Sequence, residues 1–152
     1  MVAHTNSPYG VWKLLSFNIY RASDPTGEHI LQPLGPSPLG RILLLPSGYM
    51  SATLTSPERT TKMESPDWYR ATDSEVVYAA KSMTTYCGRF RLYEEDGETR
   101  LATDVEIALD PNWIGGQQIR RVSFRSEEGR TLLILTPVQQ FFLHVSIRCY
   151  KL

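Results

Sequence analysis

Gln118 and Arg120 stand two residues apart, the spacing that puts side chains on one face of a β-strand. A guanidinium is a rigid fork of N–H donors suited to a carboxylate, an enolate or a carbonyl oxygen. Gln118 can hydrogen-bond the same ligand. Glu106, on the preceding stretch, can either neutralise Arg120 across a sheet or act as a general base. Donors plus a base mean proton transfer and carbonyl polarisation, whereas donors alone mean binding. The register of the 101–124 hairpin decides, because a slip of one residue sends Glu106 to the opposite face. Tyr49, Ser51, Tyr86, Asn112, Trp113, Phe124 and His144 are the candidate ligand contacts. The tyrosines are weak acids or donors, with plain packing as the competing role. Trp113, in a turn, is a lid over a flat ligand or a plug for one end of the fold. His144 titrates near neutrality, but it shares a strand face with Ser146 and Arg148, as a half-exposed position would.

These residues need a frame. Leu101, Thr103, Val105, Ile107 and Leu109 alternate with Ala102, Asp104, Glu106 and Ala108, the period of a half-buried strand. Asp110-Pro111-Asn112 breaks that strand, since proline gives the ladder no N–H. Gly115-Gly116 releases a second strand with Gln118, Arg120, Val122 and Phe124 on one face. By the same reasoning strands are expected over 10–20, 40–45, 48–54, 86–94, 100–109, 116–124, 131–136 and from Phe141 to Lys151. Thr72-Asp73-Ser74-Glu75 has the form of a capping box, and Val76, Ala80 and Met83 follow at helical spacing, which predicts a helix over 73–85. Residues 21–38, rich in Pro, Gly and Ser, read as a long connection crossing one end of a sheet. Residues 1–9 read as a flexible leader and 10–152 as a single domain. Eight short strands joined mostly by tight turns point to a mainly β protein, an eight-stranded antiparallel up-and-down barrel with one short helix. Such a barrel has room inside for one small ligand or a set of side chains.

The totals narrow the function classes. At 152 residues the chain can bury a real core, and 41% hydrophobic with 21% charged residues is ordinary for a soluble globular domain. Sixteen basic and 16 acidic residues balance, so there is no electrostatic footprint for nucleic acid or an anionic membrane. No apolar run reaches the roughly 20 residues of a membrane span, and the N-terminal stretch lacks the pattern of a secretion signal. Cys87 and Cys149 read as buried thiols of a cytoplasmic protein. His4, His29 and His144 are too scattered for a metal site, and Gly115-Gly116 lacks the lysine and helix of a phosphate loop. No cofactor is expected.

Several stretches together carry a resemblance: Gly10-Val11-Trp12-Lys13-Leu14-Leu15-Ser16-Phe17, Gly40-Arg41-Ile42, Gly48-Tyr49-Met50-Ser51-Ala52, Tyr86-Cys87-Gly88-Arg89-Phe90, and Val105-Glu106 through Pro111-Asn112-Trp113-Ile114-Gly115, with Gln118 and Arg120 beyond. In combination they resemble the lipocalin-like domain family of small single-domain proteins from bacteria and fungi, over Gly10 to about Thr136. The resemblance implies a closed or nearly closed barrel with an apolar cavity and does not fix one activity. In relatives the tryptophan of Gly-x-Trp closes a barrel end against an arginine, which would make Trp12 the partner of Arg148. Family members often carry histidine ahead of the Val-Glu pair, where this chain has Thr103-Asp104, so any proton chemistry of those histidines would be missing here.

Some fungal members resemble accessory proteins of secondary metabolism, and this implies a leading reading by analogy of fold. It is a cofactor-independent cyclase or isomerase, pericyclase-like, acting on a hydrophobic polyketide or terpenoid intermediate. Arg120, Gln118 and Glu106 would be its catalytic groups, and Trp113, Tyr49 and Phe124 its walls. The alternative from another class is a non-catalytic carrier of a small hydrophobic molecule. A third reading is a fully packed barrel with an interaction role. The barrel wall or the helix offers a surface for a homodimer.

Overall fold

Alternation of apolar and polar residues becomes sheet along most of the chain. The computed structural model describes residues 6–57, 61–138 and 143–152. The elements are β1 (Gly10–Arg21), β2 (Leu39–Leu44), β3 (Tyr49–Thr55), a 3₁₀ turn at Trp68–Arg70, α1 (Asp73–Lys81), β4 (Met83–Glu95), β5 (Glu98–Ala108), a second 3₁₀ turn at Pro111–Trp113, β6 (Gln117–Glu127), β7 (Arg130–Pro137) and β8 (Leu143–Lys151). Each strand pairs antiparallel with its neighbours in sequence, and β8 returns to β1, so the sheet is a closed eight-stranded barrel. His4, residues 1–5 of the expected leader and the expected strand start at Phe141 lie outside the described residues. Among the described residues no helix is long and apolar enough to cross a membrane.

Met50, Ala52 and Leu54 of β3 and Val145, Ile147 and Cys149 of β8 point inward, joined by Leu14, Leu44, Leu101, Val105, Leu133 and Leu135. Trp12 and Phe124 floor one end, their rings 6.2 Å apart. Two hairpins turn tightly at Asp96-Gly97 and Glu128-Gly129, where both residues of each pair have positive φ. That mirror-image turn matches the right-handed twist of the strands it joins. Within the 21–38 connection, the Ile19 N–H donates to the Leu31 carbonyl at 2.9 Å, the Ile30 N–H donates to the Ile19 carbonyl at 2.8 Å, and Leu34 is buried in the core.

Two bulges reset which residues face in. Between Leu14 and Ser16, β1 gains a residue against β8, so Leu15 is exposed and the inward set continues as Phe17 and Ile19. In β5 the extra residue is Glu106, since Cys87 pairs with Ile107 and Gly88 with Val105. The simple alternation read from sequence therefore fails after Val105: Ile107 is 65% exposed, and Ala108 packs against the core instead. Gly88 makes the bulge possible, because a Cβ there would lie 1.9 Å from the Asp104 carbonyl oxygen.

The helix is shorter than the 73–85 expected. Its capping box forms as read, with the Glu75 N–H donating to Thr72 Oγ1 and the Thr72 N–H donating to the Glu75 carboxylate. It ends at Lys81, because Thr84 and Thr85 are drawn into β4 opposite Leu54 and Thr53. β-branched residues fit that pleated surface better than a last helical turn. Glu75 also accepts hydrogen bonds from the Glu64 N–H and from the N–H and hydroxyl of Ser65, tying the preceding loop to the helix.

Candidate functional site

β6 delivers the donors. Its inward face carries Gln118, Arg120, Val122 and Phe124 in turn, and Arg120 lies opposite Leu101 of β5 and Pro137 of β7. At the end of the barrel away from the Trp12 floor, a cavity of about 360 Å³ is lined by Phe17, Ile19, Trp113, Gln118, Arg120, Pro137, Val145 and Ile147, with Gln117 and Ile119 at its edge. That volume lies in the range of small-molecule pockets. Arg120 donates from Nη2 to Gln118 Oε1 at 3.0 Å and from Nη1 to the Ile119 carbonyl at 3.1 Å. No described carboxylate forms an ion pair with it.

Trp113 comes to the cavity from the 3₁₀ turn between β5 and β6. Asp110 caps that turn by accepting the Asn112 N–H at 2.9 Å. The tryptophan packs edge to face on Tyr86, with ring centroids 5.4 Å apart. Tyr86 is buried at the inner side of β4, and burial holds its hydroxyl pKa above the usual tyrosine value, while the Arg120 charge pulls the other way. The Tyr86 hydroxyl makes no hydrogen bond among the described residues. Thr103, opposite Gln118, is 0% exposed, and its Oγ1 is likewise without a partner. Thr103 takes the place on the inward face of β5 that the alternation gave it and is not part of the cavity lining. Phe17 and Ile19 were hidden by the β1 bulge.

The remaining expected site residues lie elsewhere. Tyr49 and Ser51 alternate with buried Met50 and Ala52 and so stand on the outer wall. Tyr49 donates to Glu106 Oε2 at 2.8 Å there, with Cys87 Sγ 3.6 Å away. Hydrogen bonding to Cys87, then to Glu106, raises the Tyr49 pKa above its usual value. Glu106 lies beyond the last rung of the β5–β6 ladder, Asp104 opposite Gln117, and is the bulged residue. It neither pairs with Arg120 nor reaches the cavity. Asn112 is exposed in the turn, and Phe124 belongs to the packed floor. His144 faces outward against Tyr20, with ring centroids 6.1 Å apart, in a separate outer groove with Arg121, Arg125 and Arg148. Burial, and then the Arg121 charge, lower its pKa.

The closure expected between Trp12 and Arg148 is also corrected. Arg148 points outward and is bound to Glu127 at 2.6 Å, because inward positions on β8 belong to Val145, Ile147 and Cys149. Lys151 takes its place, with Nζ 5.7 Å from the Trp12 ring centroid, and Trp12 Nε1 donates to the Pro8 carbonyl at 2.7 Å. A larger concavity of about 560 Å³ lies outside the barrel beside α1, where Glu75 is already committed to Ser65 and Thr72.

Comparison with known proteins agrees with this architecture. The 4'-hydroxy-3'-methoxypropiophenone carrier protein ppsC of Aspergillus oryzae (strain ATCC 42149 / RIB 40) is 32% identical over 82 residues, covering 51% of this chain and 73% of that protein. No solved structure matches. The family description "Lipocalin-like domain" matches residues 9–142, nearly the whole barrel. The chain belongs to the lipocalin-like domain family.

Proposed function

We propose that this protein binds and carries a small hydrophobic molecule in the barrel cavity. One observation carries the reading: the lining has apolar walls, hydrogen-bond donors gathered at Arg120 and Gln118, and, among the described residues, no carboxylate or imidazole. Apolar walls supply affinity, and removing about 200 Å² of ligand surface from water is worth roughly 5 kcal/mol before the costs of association. Donors at one end fix orientation. The Aspergillus relative, named as a carrier of an aryl ketone, supports a ligand of that size and kind.

Catalysis is the second reading, and Arg120 is what favours it. A guanidinium with N–H groups to spare can stabilise an oxyanion that develops on a bound carbonyl, an effect worth about 3 kcal/mol per donor. A cyclase or isomerase built this way would work by holding a reactive conformer and polarising a carbonyl. It would do so without Glu106, which lies outside the barrel.

The experiment is incubation with an aryl ketone such as 4-hydroxyacetophenone, followed by thermal melting and mass spectrometry of the recovered ligand. A carrier melts higher and returns the ligand unchanged; at a hundredfold excess over Kd the stabilisation is about 2.7 kcal/mol. A rearranged product would establish the catalytic reading. Unchanged melting across a panel of aromatic and terpenoid ketones would defeat both.

A further inference from the structure

Resting on the carrier reading, we propose that the ligand is a weakly acidic phenol or enol held as its anion, with the charged oxygen on Arg120 and the conjugated body against Trp113. The argument starts from an imbalance of charge. Arg121 is paired with Glu98, Arg148 with Glu127, and Arg100 with Glu95, yet Arg120, which faces the cavity, has no carboxylate partner among the described residues. An arginine cannot relieve this by losing its proton. Its two hydrogen bonds, to Gln118 and to the Ile119 carbonyl, are to neutral acceptors and leave Nε and a hydrogen on each Nη for a ligand. When an apolar molecule fills the cavity and displaces water, the unbalanced cation becomes more costly, and a ligand that brings the counter-charge removes that cost.

The neighbouring groups select the kind of anion. The Gln118 side chain accepts from Arg120 through Oε1, which turns its amide N–H₂ into a further donor for the cavity. Tyr86 packs edge to face on Trp113 and is not part of the lining, so it adds no carboxylate or other counter-charge there. Arg120 and Gln118 stand together in the lining, while Phe17, Ile19, Val145 and Ile147 offer nothing polar. A phenolate or enolate has one oxygen to satisfy and spreads the rest of its charge over a flat apolar body. A carboxylate has two oxygens, and it lacks that delocalisation into the part lying on the apolar walls.

The test uses 4-hydroxyacetophenone, whose phenolate absorbs at longer wavelength than its phenol, and 4-methoxyacetophenone, which cannot ionise. With the full chain in excess, the bound phenol should show the phenolate spectrum at a pH where the free compound is neutral. A cation at contact distance lowers an acid's pKa by about 1 to 3. Arg120→Met should abolish the spectral change and weaken phenol binding at least about tenfold more than it weakens binding of the methyl ether, which loses only a neutral hydrogen bond. Arg120→Lys, which keeps the charge, should restore part of the spectral change, and this guards against a Met variant that merely misfolds. Equal binding of ether and phenol with no phenolate band would overturn this inference and leave the carrier reading intact. Tighter binding of benzoate than of the phenol would overturn it too. Failure of all three probes to bind would remove the carrier reading for this ligand class and the inference with it.

Discussion

Thr103→Val should stabilise the ligand-free protein, the opposite of what truncating a buried polar contact usually does. Thr103 is fully buried on the inward face of β5, and its Oγ1 meets no hydrogen-bond partner. A buried hydroxyl left unpaired costs about 1–3 kcal/mol relative to one that is satisfied. Valine has nearly the same shape and the same preference for strand, so the replacement opens no cavity and strains no rotamer. The expected gain is about 1–2 kcal/mol, or roughly 2–8 °C in Tm for a chain of this length. Urea unfolding should show a higher midpoint at unchanged slope. Thr55→Val is the paired control: Thr55 Oγ1 donates to the Ser82 carbonyl at 3.0 Å, and losing that bond should destabilise by about 0.5–1.5 kcal/mol. If Thr103→Val destabilises as much as Thr55→Val, the hydroxyl has a partner in solution and the picture of an unsatisfied group in the barrel is wrong.

Gly88→Ala should be among the most damaging small substitutions, costing more than about 3 kcal/mol, because the new methyl would strike the Asp104 carbonyl on a backbone held by the ladder. Gly97→Ala, with open space around it and only a positive φ to maintain, should cost about 1 kcal/mol in the same denaturation assay. In a native thiol titration Cys87, half-buried on the outer wall, should react, while Cys149, fully buried and pushed up to about 12 by that burial, should react only after unfolding. The hydrogen bonds from Ser65 and Thr72 hold Glu75 down to about 2, against an ordinary 4.5. Its contribution to α1 is therefore complete above about 4.5 and lost as pH falls toward about 2. Protection factors of the α1 amides, corrected for the intrinsic pH dependence of exchange, should fall across that window in the wild type, and Glu75→Gln should show reduced protection already at neutral pH.

The barrel was legible because it is written in the period-two alternation and in turn pairs such as Asp96-Gly97 and Glu128-Gly129, which are local signals. The inward face of β6 was legible for the same reason, and it places Gln118 and Arg120 at the cavity as the spacing implied. What failed was phase. A bulge adds one residue without a compositional mark, so beyond the added Glu106 the residues Ile107 and Ala108 exchanged sides, and Phe17 and Ile19 moved inward unannounced. Gly88 is the clue that was available: a glycine inside a strand marks a close backbone approach, but its partner, Asp104, lies across the sheet and is known only once the strands are paired. The exchange of Arg148 for Lys151 over Trp12 has the same origin, since which cation reaches the ring depends on the β1–β8 register.

The floor formed by Trp12 and Phe124, closed from outside by Lys151, makes the barrel a blind-ended vessel. Whatever occupies the cavity cannot pass that floor, so arrival and departure share the other end of the barrel and cannot be tuned independently by altering opposite ends. A guest longer than the cavity has no far exit to thread through and must project its surplus into solvent. Affinity should therefore climb with ligand length only until the floor is reached and then level off. The portion left outside would remain exposed to solvent and to any molecule that meets the protein there.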